Sequence, residues 1–194
     1  WNTSNVTNMS NVFTNAVLAD PAVGGWDTSN VHTMAYMFEG TDVANPDVSG
    51  WNVSNVTDFD QMFKGAKLAD PDVSNWDVSS AQYMRRVFRL TRVANPDVSS
   101  WNLASVINMR GMFRGARLAN PDVSNWVFPN ASSIAYLFAE TSVANPDVSS
   151  WDTSGVENMS GVFLGAEAAT PNVSGWDTSS VTTMNEMFHG ALPV

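Results

Sequence analysis

Eight tryptophans stand 25 residues apart, at Trp1, Trp26, Trp51, Trp76, Trp101, Trp126, Trp151 and Trp176. Phenylalanine keeps the same step from Phe13 to Phe188, and proline keeps it from Pro21 to Pro171. No insertion or deletion disturbs these columns. A unit of this size cannot bury an apolar face alone, so neighbouring units must stack and supply the core jointly. The chain therefore reads as a single repeat solenoid of eight coils: 1–25, 26–50, 51–75, 76–100, 101–125, 126–150, 151–175 and a partial 176–194.

Within a unit the apolar spacing changes. In the third copy Val56, Phe59, Met62, Phe63 and Ala66 follow steps of three, three, one and three, which predicts one face of a short helix. Ser54 or Asn55 suits its start, and Gly65 suits a left-handed C-terminal residue. Leu68-Ala69-Asp70-Pro71 then turns the chain, and Asp72–Trp76, with Val73 inward, is the candidate strand. The expected architecture is leucine-rich-repeat-like, with a short parallel strand and a short helix per coil. At about 4.8 Å per coil the stack would run roughly 35 to 40 Å. A finer alternation overlies the period. Ala16, Ala66 and Ala116 precede Leu18, Leu68 and Leu118 by two residues, whereas Thr41, Thr91 and Thr141 precede Val43, Val93 and Val143. Ala168 and Pro193 break this alternation, which suggests duplication of a 50-residue pair with interleaved packing.

Composition narrows the function. The net charge is −10, which disfavours general nucleic-acid binding. With no Cys, disulfides and thiolate metal sites are excluded. No run of eighteen apolar residues is present to span a membrane within this segment. The chain starts at Trp1 with no signal sequence and no obvious polar cap at either end, as expected of a processed product or a segment of something longer.

Trp151-Asp152-Thr153-Ser154-Gly155-Val156-Glu157-Asn158-Met159-Ser160-Gly161-Val162-Phe163 resembles the bacterial surface-protein repeat of mycoplasma-type lipoproteins, a distant relative of BspA-like leucine-rich repeats. Trp26–Val31 and Trp176–Val181 carry the same motif, and the resemblance covers the whole chain. It implies display on a cell surface, in adhesion or partner binding, with no catalytic residues to carry over. Copy six departs most, with Val127, Phe128 and Pro129 in place of the polar start.

All nine basic residues lie between Lys64 and Arg117. Lys64, Arg89 and Arg114 share one column, Lys67, Arg92 and Arg117 a second, and Arg85 and Arg110 a third, with Arg86 beside it. On the polar face of the expected helices they would form one partner-binding patch across coils three to five. A merely solvated basic face is the alternative reading. Confinement of every positive charge to the middle of an acidic chain favours the patch, whose partner would be a protein, an anionic glycan or another copy of the chain.

Other columns read as structural. Asp47, Asp72, Asp97, Asp122 and Asp147 suit turn caps better than a calcium ladder, because no glycine-rich calcium loop accompanies them. Asn55, Asn130, Asn158 and Asn172 stand in glycosylation-like triplets but read as caps and turns. Thr3, Thr28, Thr153 and Thr178 hint at an ice-binding ladder that Val53, Val78, Leu103 and Phe128 interrupt. The Trp and Met columns are in phase with the core. His32 and His189 lack local partners, and no nucleophile, carboxylate pair or phosphate loop is present, so neither enzyme chemistry nor a cofactor is expected. The leading expectation is a non-enzymatic, extracellular or cell-surface module for adhesion or partner recognition. A filament or stalk segment that self-associates through its ends is the alternative.

Overall fold

The computed structural model describes residues 1–191, so Pro193 lies outside the described residues. Each coil hydrogen-bonds to the coils before and after it. In the third coil the N–H groups of Phe59, Gln61, Phe63 and Gly65 donate to the carbonyls of Tyr83, Arg85, Val87 and Arg89 in the fourth, at 2.7 to 2.9 Å. Thr57 N–H donates in the opposite direction, to the His32 carbonyl of the second coil at 2.9 Å. Met34, Tyr36, Phe38 and Gly40 repeat the four-bond pattern one coil earlier, and Met84, Arg86, Phe88 and Leu90 one coil later.

Between these axial bonds the backbone makes tight turns. Met62, Lys64 and Ala66 donate to the carbonyls three residues before them, at 3.0 to 3.1 Å. The chain can do this because two positions of every coil are left-handed. One column runs Asn11, Tyr36, Gln61, Arg86, Gly111, Tyr136, Gly161, Glu186; the other runs Asn15, Gly40, Gly65, Leu90, Gly115, Glu140, Gly165, Gly190. A left-handed residue between ordinary ones turns alternate peptide planes along the stack axis, so every second N–H faces the next coil.

The expected strand-plus-helix, leucine-rich-repeat-like coil is therefore corrected. Among the described residues there is no helix and no sheet, only isolated parallel bridges from Asn8 through Thr33, Asp58, Tyr83, Asn108, Ser133 and Asn158 to Thr183. A helix needs each N–H to reach back four residues along its own chain. Here alternate N–H groups of the would-be helix in the third coil are taken by the fourth, and Met62, Lys64 and Ala66 reach back only three residues. Asp72–Trp76 is not a strand either. The Asp72 carboxylate accepts from Ser74 N–H and Oγ at 3.1 and 2.6 Å, and Trp76 N–H closes a turn on the Val73 carbonyl at 3.1 Å.

The core is built from columns. All seven steps of the phenylalanine column stack, with ring centroids 5.4 to 5.8 Å apart. Trp51, Trp76, Trp101, Trp126 and Trp151 are buried, as the in-phase spacing expects, whereas Trp1 is exposed. From Trp51 to Trp176, each indole Nε1–H donates to a valine carbonyl 28 residues earlier, at 2.9 to 3.3 Å. A valine carbonyl such as that of Val98 thus receives two donors, Trp101 N–H and Trp126 Nε1–H. In copy six Phe128 takes a buried column position and meets Trp151 edge-on at 5.1 Å.

The Ala/Thr alternation is a core feature. Thr41, Thr91 and Thr141 are buried, and each hydroxyl donates to the carbonyl of Phe38, Phe88 or Phe138 at 2.8 to 2.9 Å. The accompanying Leu/Val column is not interleaved packing, because Leu18, Leu68 and Leu118 are at least half exposed.

Candidate functional site

A stacked repeat places residues 25 apart on one axial line, so sequence columns become surface stripes. The stripe Glu39, Lys64, Arg89, Arg114 begins with an acid, as do Asp42, Lys67, Arg92, Arg117 and Asp60, Arg85, Arg110. In each stripe the acid pairs with the first base. Lys64 Nζ lies 2.6 Å from Glu39 Oε1, and Lys67 Nζ lies 2.7 Å from the Asp42 carboxylate. Arg85 Nε lies 2.6 Å from Asp60 Oδ2, and Arg85 N–H donates to Oδ1 of the same buried carboxylate at 2.7 Å. Glu140 takes Arg114 Nη2 at 2.5 Å from the far side.

Arg86, Arg89, Arg110 and Arg114 lie close enough to repel one another, and Lys67, Arg92 and Arg117 line one groove, but the nine basic residues are not equivalent. Among the described residues Arg86, Arg89, Arg92, Arg110 and Arg117 have no carboxylate within ion-pairing distance, so the unneutralised charge sits on coils four and five. The sequence-based patch across coils three to five is too wide by the third coil. It lies on turns, not on a helix face. Arg110 and Arg114 also lie over the Tyr136 ring, at 4.6 and 5.1 Å from its centroid, which orients both guanidinium groups. Burial, followed by the charges of Arg114 and Arg86, draws the Arg89 guanidinium below its ordinary value. Its Nε is buried with no hydrogen-bond partner, as is that of Arg114. Such crowding of like charge costs stability, and an anion placed on it would relieve that cost.

Beside these stripes runs an open groove of about 340 Å³, lined by Gly65, Lys67, Leu90, Arg92, Gly115 and Arg117. It exists because Gly65 and Gly115 present no side chain in their column. Leu90 stands between them in the left-handed conformation that glycine takes on either side, φ 63°, and is half exposed. Neither the groove nor the Leu90 knob was read from the sequence. The signal available was one leucine in a column that is glycine in five other coils.

The remaining columns are occupied internally. Exposed Asp47, Asp72, Asp97, Asp122 and Asp147 each bind Ser N–H and Oγ two residues on, and these bonds hold every carboxyl below the usual aspartate range. Thr3, Thr28 and Thr153 point inward and donate to carbonyls of the next coil. Asn55 and Asn130 donate to carbonyls of the coil before, while Asn158 and Asn172 cap their own turns. His32 and His189 lie on the second and eighth coils. No group of three metal-binding side chains occurs among the described residues.

No curated protein and no solved structure matches the chain. The family model described as "Mycoplasma protein of unknown function, DUF285" matches residues 1–92, 43–147 and 132–193 in three overlapping stretches, as a repeated unit would. The chain belongs to that mycoplasma-derived repeat family.

Proposed function

We propose that the chain is a non-enzymatic, cell-surface repeat module, a solenoid whose cationic face on coils four and five recognises an anionic partner. The observation that carries this reading is the arrangement of charge. An acidic chain of net charge −10 gathers its cations into three stripes, with Arg86 beside one of them, and among the described residues leaves five arginines without a carboxylate. Arginine is suited to carboxylate, sulfate and phosphate groups because its planar fork donates two parallel hydrogen bonds. A carboxylate-rich protein and an anionic glycan both satisfy that chemistry. Kinship with BspA-like leucine-rich repeats would be one of descent and surface role, not of coil geometry.

Calorimetric titration with poly-glutamate and with dextran sulfate tests the reading at physiological salt. Binding of either probe, weakened about tenfold or more by Arg89→Glu or Arg110→Glu, is the expected result. Absence of binding by both probes, or equal binding by the charge-reversed variants, overturns it. The probe that binds more tightly tells a protein partner from a glycan.

A further inference from the structure

Residues Leu68 to Val73 alternate strictly: Leu68, Asp70 and Asp72 are exposed, whereas Ala69, Pro71 and Val73 are buried. Alternation of this kind means an extended segment with one outward face. Repeated up the stack, it makes an aliphatic stripe of Leu18, Val43, Leu68, Val93, Leu118 and Val143, with Leu18 84%, Leu68 50% and Leu118 51% exposed. Single exposed aliphatics are ordinary, but five in one line, with half-buried Val93 among them, form an apolar surface of the kind that marks an interface. Basic Lys67, Arg92 and Arg117 precede it along the chain, and acidic Asp72, Asp97 and Asp122 follow it. The stripe therefore has a positive flank and a negative flank.

We propose that this stripe is the seam of a parallel two-fold dimer, in which Arg92 and Arg117 of each copy meet Asp97 and Asp122 of the other. The symmetry argument is short. A two-fold axis along the seam and parallel to the stack keeps each coil level with its twin and exchanges left with right. Leucine then faces leucine, and the positive flank faces the negative one. A two-fold axis across the stack instead sets the positive flank of one copy on that of the other, and like charges repel. Two identical stacks share one rise, so the match persists over every coil. Lys67 is held by Asp42 within its own chain, which leaves the two arginines to fix the register.

The area is adequate. Six residues of extended chain across and seven coils along give a face of about 17 by 34 Å. Two such faces bury roughly 1,150 Å² together, at the border between weak and standard-size interfaces. A micromolar dimer is expected. The seam leaves Arg86, Arg89 and Arg110 outside, so it does not depend on the polyanion reading above.

Sedimentation equilibrium on the whole chain, with folding of each variant checked by intrinsic fluorescence, is the test. The chain is expected to dimerise, Arg92→Asp to weaken the dimer about tenfold or more, and the double variant Arg92→Asp/Asp97→Arg to recover it. Since the chain has no cysteine, Val143→Cys adds a single thiol that dissolved oxygen, as the two-electron acceptor, couples into a disulfide dimer much faster when equivalent coils lie level than by random collision. A chain that stays monomeric at roughly 0.1 mM, where a micromolar dimer is nearly complete, overturns the proposal. So do a failed charge swap in a folded variant, and end-to-end or antiparallel pairing without the Val143→Cys cross-link. Arg89→Glu should leave dimerisation unchanged, which separates failure here from failure of polyanion binding.

Discussion

Replacing Trp126 by phenylalanine removes one hydrogen bond and part of one ring from the middle of the stack. Trp126 is buried between Phe113 and Trp151, with ring centroids at 6.4 and 6.2 Å, and its Nε1 donates to the Val98 carbonyl at 3.0 Å. That carbonyl keeps its second donor, Trp101 N–H at 3.1 Å, so it is not orphaned. The lost bond is then worth about 1 kcal/mol. The missing ring atoms leave a void that a stack fixed on both sides closes poorly, at a cost of roughly 1 to 2 kcal/mol, well below full truncation of a buried aromatic. The sum is about 2 to 3 kcal/mol. Trp1 supplies the internal control: its ring is 99% exposed, and Trp1→Phe should stay within about 0.5 kcal/mol of the parent. Urea unfolding followed by tryptophan fluorescence reads both. In a one-dimensional stack a weakened sixth coil also loosens the coupling between the two sides, so the Trp126→Phe transition should broaden. A Trp126→Phe chain as stable as Trp1→Phe would refute the reasoning that the indole column ties coil to coil.

Three further outcomes follow from single positions. Gly111 and Gly161 share the left-handed column, but a methyl at Gly161 would meet the Tyr136 ring at 2.6 Å, while one at Gly111 meets nothing closer than 3.6 Å. Gly161→Ala should therefore cost about 1 to 2 kcal/mol more than Gly111→Ala in urea unfolding, and an equal cost would show that the ring yields freely. Burial pushes the Asp58 carboxyl up, with Asp60 adding to it, whereas Asn8, Asn108 and Asn158 fill the same column uncharged. A raised carboxyl destabilises the folded chain as pH rises above about 3.9, so Asp58→Asn should gain up to about 0.5 kcal/mol at neutral pH, after solvent screening, and nothing at pH 3. The opposite sign holds for Asp72, Asp97 and Asp122, whose serine bonds lower them. Their contribution is complete above about pH 4 and disappears as pH falls through the lowered values. Asn172 makes the same bonds to Ser174, so the triple Asp→Asn variant should fold and show a shallower acid transition; an unchanged slope would remove these carboxylates from the account.

The period, the core columns and the basic residues were legible in the sequence because each is a property of position modulo 25. The local conformation was not. Val56, Phe59, Met62, Phe63 and Ala66 fit a helical face, yet their spacing equally fits consecutive turns that point every second N–H along the stack. Gly65 was rightly read as left-handed, but its N–H bonds forward to Arg89 and closes no helix. Tyr36, Arg86 and Tyr136 give no warning of a positive φ, because that conformation is imposed by axial bonds to neighbouring coils and not by the residue type. The division of the basic patch was legible in principle, since Glu39 precedes Lys64 and Asp42 precedes Lys67 by one period. The exposed Leu18 column was misread because leucine at a fixed repeat position usually means core.

The backbone of this fold bonds forward from coil to coil at alternate residues. Through-hydrogen-bond scalar coupling measured by NMR observes this directly at Phe88. A coupling is expected between the Phe88 amide nitrogen and the Met112 carbonyl carbon, the bond that spans 2.9 Å in the structure. A coupling from Phe88 to the Met84 carbonyl carbon, the partner a helix would give it, would mean that the coil is helical and not bonded forward along the stack.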